Sequence, residues 1–123
     1  MPEPLQIPYV LNILILIPIA LSTLLDLWDT AQGKFDESAG WRVLAGSLWT
    51  AILVGSVLGL FAPLVYAPLL LMQVIYKSLW LAVFAIPRLA ARRLDEIPWG
   101  ITVSFVVIVL TYPWVIPWSH LLP

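Results

Sequence analysis

Apolar residues fill four long stretches of this sequence, and polar residues are concentrated in the connections between them. The stretches run over about 7–27, 41–61, 63–85 and 99–121. A helix needs about 20 predominantly apolar residues to cross the roughly 30 Å hydrocarbon layer of a bilayer, and each stretch is that long. The pattern therefore predicts an all-α protein in which residues 1–123 form a single transmembrane domain, an integral membrane bundle of four transmembrane helices.

Composition favours a membrane over water as the medium around these helices. Of the 123 residues, 62% are hydrophobic and only 11% are charged, whereas about a quarter of the residues in a soluble domain are charged. A chain of this length folded in water exposes much of its surface, so it could not hide so many apolar side chains. The net charge of −1, without a basic cluster among the aromatic residues, gives no indication of nucleic-acid binding.

The distribution of Lys and Arg predicts the orientation of the bundle. The joint between the second and third stretches, GLFAPLVYAP, is uncharged, and Pro63 favours a tight turn in it. The other two connections, 29–40 and 87–98, are polar and would lie on the same side of a four-span bundle. They contain four basic residues: Lys34, Arg88, Arg92 and Arg93. Because Lys and Arg are enriched in cytoplasmic loops, both polar loops are expected in the cytoplasm and both termini outside.

Two further segments are expected at the membrane surfaces. Residues 88–94 could form a short interfacial helix whose arginines, Arg88, Arg92 and Arg93, contact the headgroups of anionic lipids. Near the other surface, Pro113 and Pro117 predict that the fourth helix kinks or ends early. Several aromatic residues near that surface fit the aromatic belt of a membrane protein: Tyr9, Tyr66, Tyr112, Trp114 and Trp118.

Small residues recur every four positions along the second stretch. Ser47, Ala51, Gly55 and Gly59 form this ladder, which ends in a GxxxG pair. Because the hydrophobic effect does not drive helices together inside lipid, close packing at small residues has to contribute instead. The ladder could pack against a second copy of the chain or against another span of the same chain. The second alternative is favoured, since the turn at Pro63 brings the third span alongside.

A lysine, Lys77, lies deep within the third stretch, in the segment QVIYKSLW. Placing a lysine at such a depth costs about 2.5–3.5 kcal/mol on insertion scales unless it finds a partner, water or a route to the surface. Three alternatives are open. The ammonium group could extend to the inner headgroups, pair with the carboxylate of Asp26, or line a polar pocket with Gln73, Tyr76 and Asp26. Such a pocket could bind an anionic headgroup, a quinone-like molecule or a proton.

Other residues with chemical potential are sparse. Asp26 and Asp29 could hold a cation, although two carboxylates at this position are more typical of a solvated helix end. His120 is the only histidine and would need ligands from another chain to hold a metal. The sequence has no cysteine, Ser-His-Asp set, glycine-rich phosphate loop or HExxH motif. No catalytic residue, metal site or cofactor is predicted, and an enzymatic role is the less favoured one.

The predicted topology resembles that of a known group of proteins. Four short spans with both polar loops in the cytoplasm, an arginine opening the second span in WRVLAGSLWTAI, and the small residues behind it are similar to the small DoxX-like four-helix membrane proteins of bacteria. The resemblance implies a compact bundle that passes repeatedly through the bacterial inner membrane. The cysteine-linked redox roles of some relatives do not follow, because this chain lacks cysteine.

The sequence has no catalytic set, its loops are short, and its helices are apolar nearly all round. These features favour a protein that acts by associating with other membrane proteins. The sequence predicts a non-enzymatic accessory or assembly subunit of a larger membrane complex, with the lipid bilayer and other membrane protein subunits as its partners. The alternative is a binder or carrier of a small lipophilic or anionic molecule at the pocket around Lys77.

Overall fold

The computed structural model describes residues 5–30, 32–34 and 38–122. Within these ranges the chain is helical and contains no strand, which confirms the predicted all-α class. The α-helices are α1 (Gln6–Leu25), α2 (Ala39–Phe61), α3 (Ala67–Trp80), α4 (Ile86–Ala90), α5 (Trp99–Thr111) and α6 (Trp118–Leu121). Three continuous helical segments, Gln6–Leu25, Ala39–Phe61 and Ala67–Ala90, are long and apolar enough to cross a membrane, and a fourth apolar segment, Trp99–Trp114, is shorter.

The helices α1 and α2 begin and end close to their predicted bounds. The backbone of Asp26 adopts the left-handed conformation, with φ of 57°, and ends α1. The Ser38 hydroxyl caps α2 by accepting a hydrogen bond from the backbone N–H of Trp41. The helix α2 ends at Phe61, and a turn over 63–66 leads directly into α3. The tight turn predicted at Pro63 is therefore confirmed.

The third helical segment begins and ends later along the chain than the sequence predicted, at Ala67 and Ala90 instead of about 63 and 85. The helix α3 continues through a single π-helical turn, Leu81–Ala85, into α4. This wider turn ends two residues before Pro87, whose nitrogen has no hydrogen to donate to an ordinary helical carbonyl. The separate interfacial helix predicted over 88–94 is wrong, because Arg88 belongs to the end of the long segment. That segment stops at Ala90, shortly before Arg92 takes a φ of 58°.

The fourth predicted span is broken into pieces. The helix α5 ends at Thr111 and is followed by a 3-10 turn, Tyr112–Trp114, and then by the short α6. This outcome confirms the effect predicted for Pro113 and Pro117. The 13 residues of α5 cover about 20 Å at 1.5 Å per residue, so the stretch 99–121 is not one continuous helix.

Hydrogen bonds tie the elements together at both ends of the bundle. At one end the Gln32 side-chain oxygen accepts a hydrogen bond from the backbone N–H of Gly100 at 3.0 Å, which brings the two polar connections together. At the other end the Tyr9 hydroxyl donates to the Pro63 carbonyl at 2.7 Å. A buried core cluster lies toward this second end and consists of Tyr9, Leu70, Ile108, Tyr112 and Ile116.

The helix pair α1–α2 forms the most extensive contact in the fold. The Arg42 guanidinium of α2 donates hydrogen bonds to the carbonyls of Thr23 and Leu24, at 2.8 and 3.2 Å. These carbonyls belong to the last turn of α1, where carbonyls lack partners within the helix. One turn farther along α2, Gly46 lies directly against the Leu24 backbone. The arginine that opens the second span therefore caps the first.

The small-residue ladder of α2 divides into two halves. Gly55 leaves room for a leucine of α3, and Gly59 leaves room for a tyrosine ring of α1, so the GxxxG pair packs within the chain. Ser47 and Ala51 are exposed rather than packed between spans, contrary to the favoured alternative. The reason is geometric: each step of four residues rotates by about 40° around a helix with 3.6 residues per turn, so the ladder drifts off any single face.

Candidate functional site around a buried lysine

Lys77 lies in the interior of the bundle and is only 2% exposed. Side chains on an α-helix lean toward its N-terminus. Accordingly, the Lys77 ammonium group donates a hydrogen bond to the side-chain oxygen of Gln73, one turn earlier, at 3.1 Å. The ammonium group thus points away from the end of the segment that carries Arg88. The structure does not support the alternative in which Lys77 extends to the inner headgroups.

The three long helical segments and the shorter fourth one all contribute to the wall around Lys77. Its neighbours in that wall are Ile15, Leu16 and Ile19 from α1, Trp49 from α2, and Ile101, Ser104, Phe105 and Ile108 from α5. The space between them has a volume of about 10 Å³, which is about the least that a single water molecule requires. A quinone-like molecule or a lipid headgroup does not fit in this space.

Aromatic rings surround the ammonium group on its apolar side. The Lys77 nitrogen lies 5.0 Å from the ring centre of Phe105 and 5.4 Å from that of Tyr76. A desolvated cation beside an aromatic face is stabilised by about 2 kcal/mol. The Phe105 ring is itself held edge-on by Tyr76 and Trp80, with ring-centre distances of 5.9 and 5.2 Å. The aromatic cluster therefore fixes the position of the charge.

Two hydrogen-bond donors at the site lack acceptors in the described part of the chain. They are the side-chain nitrogen Nε2 of Gln73 and the hydroxyl of Tyr76, and both atoms are buried. Trp49 neighbours the Tyr76 hydroxyl, but an indole nitrogen can only donate a hydrogen bond. The hydroxyl hydrogen therefore gains no acceptor from Trp49, and the site contains more donors than acceptors.

Asp26, the acidic residue predicted to join this site, lies elsewhere. The site is level with residues 15–19 of α1, and Asp26 lies about 10–16 Å farther along the chain at 1.5 Å per residue. Its exposed carboxylate lies 3.9 Å from the Arg42 guanidinium. The predicted pair of Lys77 with Asp26 is wrong, because α3 begins only at Ala67 and this shifts Lys77 toward the uncharged end of the bundle.

A second polar cluster, which the sequence did not predict as a site, lies nearer the start of α1. The Asn12 amide donates to the Ser56 hydroxyl of α2 at 3.0 Å. The Tyr112 hydroxyl bridges the Asn12 side-chain oxygen and the Pro8 carbonyl. All of these groups are buried and paired, which is typical of a structural network. The signal that could have located it is an asparagine in an otherwise apolar stretch.

Burial also changes the interpretation of two aromatic residues. Tyr9 and Tyr112, expected in the headgroup region of an aromatic belt, are 0% and 1% exposed. Their hydroxyl groups bond to the turn at Pro63 and to the Asn12 cluster instead. Both tyrosines therefore serve packing inside the bundle, whereas Trp114 remains exposed.

The three arginines predicted to contact lipid headgroups differ in their surroundings. The Arg88 guanidinium donates to the Phe84 carbonyl at 3.2 Å and lies 3.6 Å from the centre of the Phe84 ring. It also pairs with the Glu96 carboxylate at 3.5 Å, and Arg93 pairs with the same carboxylate at 3.7 Å. Arg92 and Arg93 are exposed. Headgroup contact stays a prediction, and Arg88 makes its observed contacts within the chain.

No protein-family model, curated protein or solved structure matches this chain. The DoxX-like resemblance therefore stays a prediction from topology. Across residues 5–30, 32–34 and 38–122, no group of three or more His, Cys, Asp or Glu side chains could hold a metal ion. His120 is exposed in α6. The candidate chemistry of the described chain is thus concentrated at Lys77.

Proposed function

We propose that this chain is a four-span protein of a bacterial inner membrane and acts as an accessory or assembly subunit of a larger membrane complex. One observation carries the proposal: α2 is a long apolar helix that the rest of the chain leaves largely uncovered. In its most apolar window 17% of the residues are buried, against 22% in Ala67–Ala90 and 39% in Gln6–Leu25. In a membrane, such a helix has to meet either lipid or another protein.

The uncovered side of α2 carries small residues suited to a partner helix. Ser47 and Ala51 are exposed one turn apart, between larger exposed side chains such as Leu44, Leu48 and Val54. A small-xxx-small pair lets two helix backbones approach closely in lipid, and a serine can form a hydrogen bond across the contact. We place the partner on this surface, the outer face of α2, which is centred on Ser47 and Ala51.

The interior gives less support to the alternative of a lipophilic ligand. The space beside Lys77 is about 10 Å³, whereas pockets for organic ligands have volumes of about 300–1,000 Å³. An accessory role requires no such pocket. The structure therefore favours association over carriage of a lipophilic molecule.

Replacing Ala51 with leucine tests the accessory role. We expect the natural protein, purified in a mild detergent, to migrate with at least one other membrane polypeptide. In Ala51→Leu the recovery of that same polypeptide is expected to fall several-fold, because a branched side chain keeps the two helix backbones apart. The measurement is its amount per mole of this chain, by native electrophoresis and mass spectrometry.

Ala82→Leu is the matched control for this experiment. Ala82 is also exposed but lies in the π-helical turn, outside the outer face of α2, so its replacement is expected to leave the co-migration unchanged. Migration of the natural protein by itself, as a monomer or as a homodimer, would contradict the accessory role.

Single cysteines test the proposed orientation. Because the natural chain has no cysteine, Ser38→Cys and Ser119→Cys each carry one thiol at an exposed position. We expect a membrane-impermeant maleimide to label Ser119→Cys in intact spheroplasts and to label Ser38→Cys only after the membrane is opened. Labelling of Ser38→Cys from outside would reverse the orientation and remove the basis for placing the polar connections in the cytoplasm.

A further inference from the structure

In its protonated form Lys77 has no counter-charge in the part of the chain that the structure describes. Its wall is made of aliphatic and aromatic side chains and one serine hydroxyl. The described carboxylates follow the ends of the long helices: Asp26, Asp29, Asp95 and Glu96. A buried ionisable group is normally neutral unless its charge is paired or coordinated, so the protonated form of Lys77 requires an anion that the described chain does not supply.

The site also has more hydrogen-bond donors than acceptors. An ammonium group has three N–H donors and a primary amide has two. One donor of Lys77 goes to the side-chain oxygen of Gln73, and this bond fixes which end of the Gln73 amide faces the ammonium. The amide nitrogen of Gln73 and the hydroxyl of Tyr76 are buried without an acceptor in the described chain. The surplus consists of donors, which an anion satisfies and a cation does not.

We propose that Lys77 binds a small monoatomic anion of the halide type in the space that it lines. Gln73 and Tyr76 do not line this space themselves but lie beside Lys77, Gln73 through its hydrogen bond and Tyr76 through its ring. The charge and the surplus donors select an anion. The volume of about 10 Å³ selects one close in size to a water molecule and excludes phosphate, sulfate and the headgroup of a lipid. The apolar walls strengthen the attraction, because they lower the local dielectric constant.

Binding at this position also affects the fold as a whole. The wall comes from α1, α2, α3 and α5 together, so the site exists only when these helices are assembled. A ligand that binds the folded state and not the unfolded state stabilises the folded state in proportion to the logarithm of its concentration. The anion is therefore expected to stabilise the packing of all four segments, whether or not the protein has a partner.

The test compares thermal unfolding of the purified protein in sodium chloride and in sodium gluconate at equal ionic strength. We expect the midpoint to rise by several degrees in chloride, and to stay at the gluconate value when sodium phosphate is used instead. The dependence on chloride is expected to disappear in Lys77→Met. Lys34→Met replaces an exposed lysine in the same way. In this variant the midpoint is expected to depend on chloride as it does in the natural protein.

A second variant provides a test in case Lys77→Met does not fold. Gln73→Glu places a carboxylate one turn from Lys77, where it replaces the anion as a counter-charge. This variant is expected to unfold at a higher temperature than the natural protein in gluconate and to show no response to chloride. Equilibrium dialysis with bromide is expected to find one ion per natural chain and none per Gln73→Glu chain.

Three outcomes would overturn the proposal. They are equal midpoints of the natural protein in chloride and gluconate, a chloride effect that survives in Gln73→Glu, and a chloride effect that Lys34→Met removes. None of these outcomes bears on the accessory role, because each measurement uses the isolated chain.

Discussion

Replacing Gly46 with alanine is expected to separate α1 from α2 and to lower the free energy of unfolding by about 1–3 kcal/mol. A methyl group at this position would lie 2.6 and 2.7 Å from the backbone nitrogen and Cα of Leu24. These are backbone atoms, so no flexible side chain can move aside, and the end of α1 has to shift. The shift would also lengthen the hydrogen bonds from Arg42 to the carbonyls of α1.

Gly40→Ala is the matched control for Gly46→Ala. Gly40 lies in the first turn of the same helix, and a methyl group there meets nothing within 4 Å. Because alanine is favoured over glycine in a helix by about 1 kcal/mol, this variant is expected to be as stable as the natural protein or slightly more stable. Reversible unfolding in mixed micelles provides the measurement. Equal stability of Gly46→Ala and Gly40→Ala would contradict the close contact of α1 with α2.

Tyr112→Phe is expected to lower the free energy of unfolding by about 1–2 kcal/mol. The Tyr112 hydroxyl is a hydrogen-bond partner of the buried Asn12 side-chain oxygen. In Tyr112→Phe that oxygen has no donor from Tyr112, and water has little access to replace it. The contact with the Pro8 carbonyl at 2.9 Å is lost as well. The phenylalanine ring still fills the core, so the effect comes from hydrogen bonding rather than from a cavity.

A double-mutant cycle separates the Asn12–Tyr112 contact from general destabilisation. We expect Asn12→Ala, which also removes the bond to Ser56, and Tyr112→Phe to have a combined effect smaller than the sum of the single effects, since each removes the same contact. Tyr66→Phe, at a half-buried tyrosine, is the control and is expected to change stability less. Strict additivity would show that the Asn12 cluster does not couple α1 to the end of α5.

The hydrophobic pattern was sufficient to predict the helical class and the approximate position of the helices. Inside lipid the backbone has to satisfy its own hydrogen bonds, and a continuous helix does so, so long apolar stretches predict helices directly. The helix breaks at Pro63, Pro113 and Pro117 were predicted correctly, because the missing backbone N–H of a proline disturbs the helix at that position itself. The continuation of α3 past Pro87 was missed, since a π-helical turn accommodates the proline without ending the segment.

The candidate site could be predicted only in part. Lys77, Gln73 and Tyr76 lie within one turn of a single helix, and their proximity follows from sequence spacing alone. The contribution of Asp26 could not be judged in this way, because it depends on where α3 begins relative to α1. The same holds for the small-residue ladder of α2. Which half of the ladder faces outward depends on which helix packs beside α2.

The length of α5 has a consequence for the surrounding lipid. With the 3-10 turn Tyr112–Trp114 that continues it, this helix covers about 25 Å, whereas the hydrocarbon layer is about 30 Å thick. If α5 crosses the bilayer as proposed, the leaflets beside it have to thin, or α6 and Trp118 have to sink below the outer surface. Short acyl chains would relieve this hydrophobic mismatch and long ones would increase it. Bilayer thickness would then influence where in the membrane the protein, and any complex that contains it, accumulates.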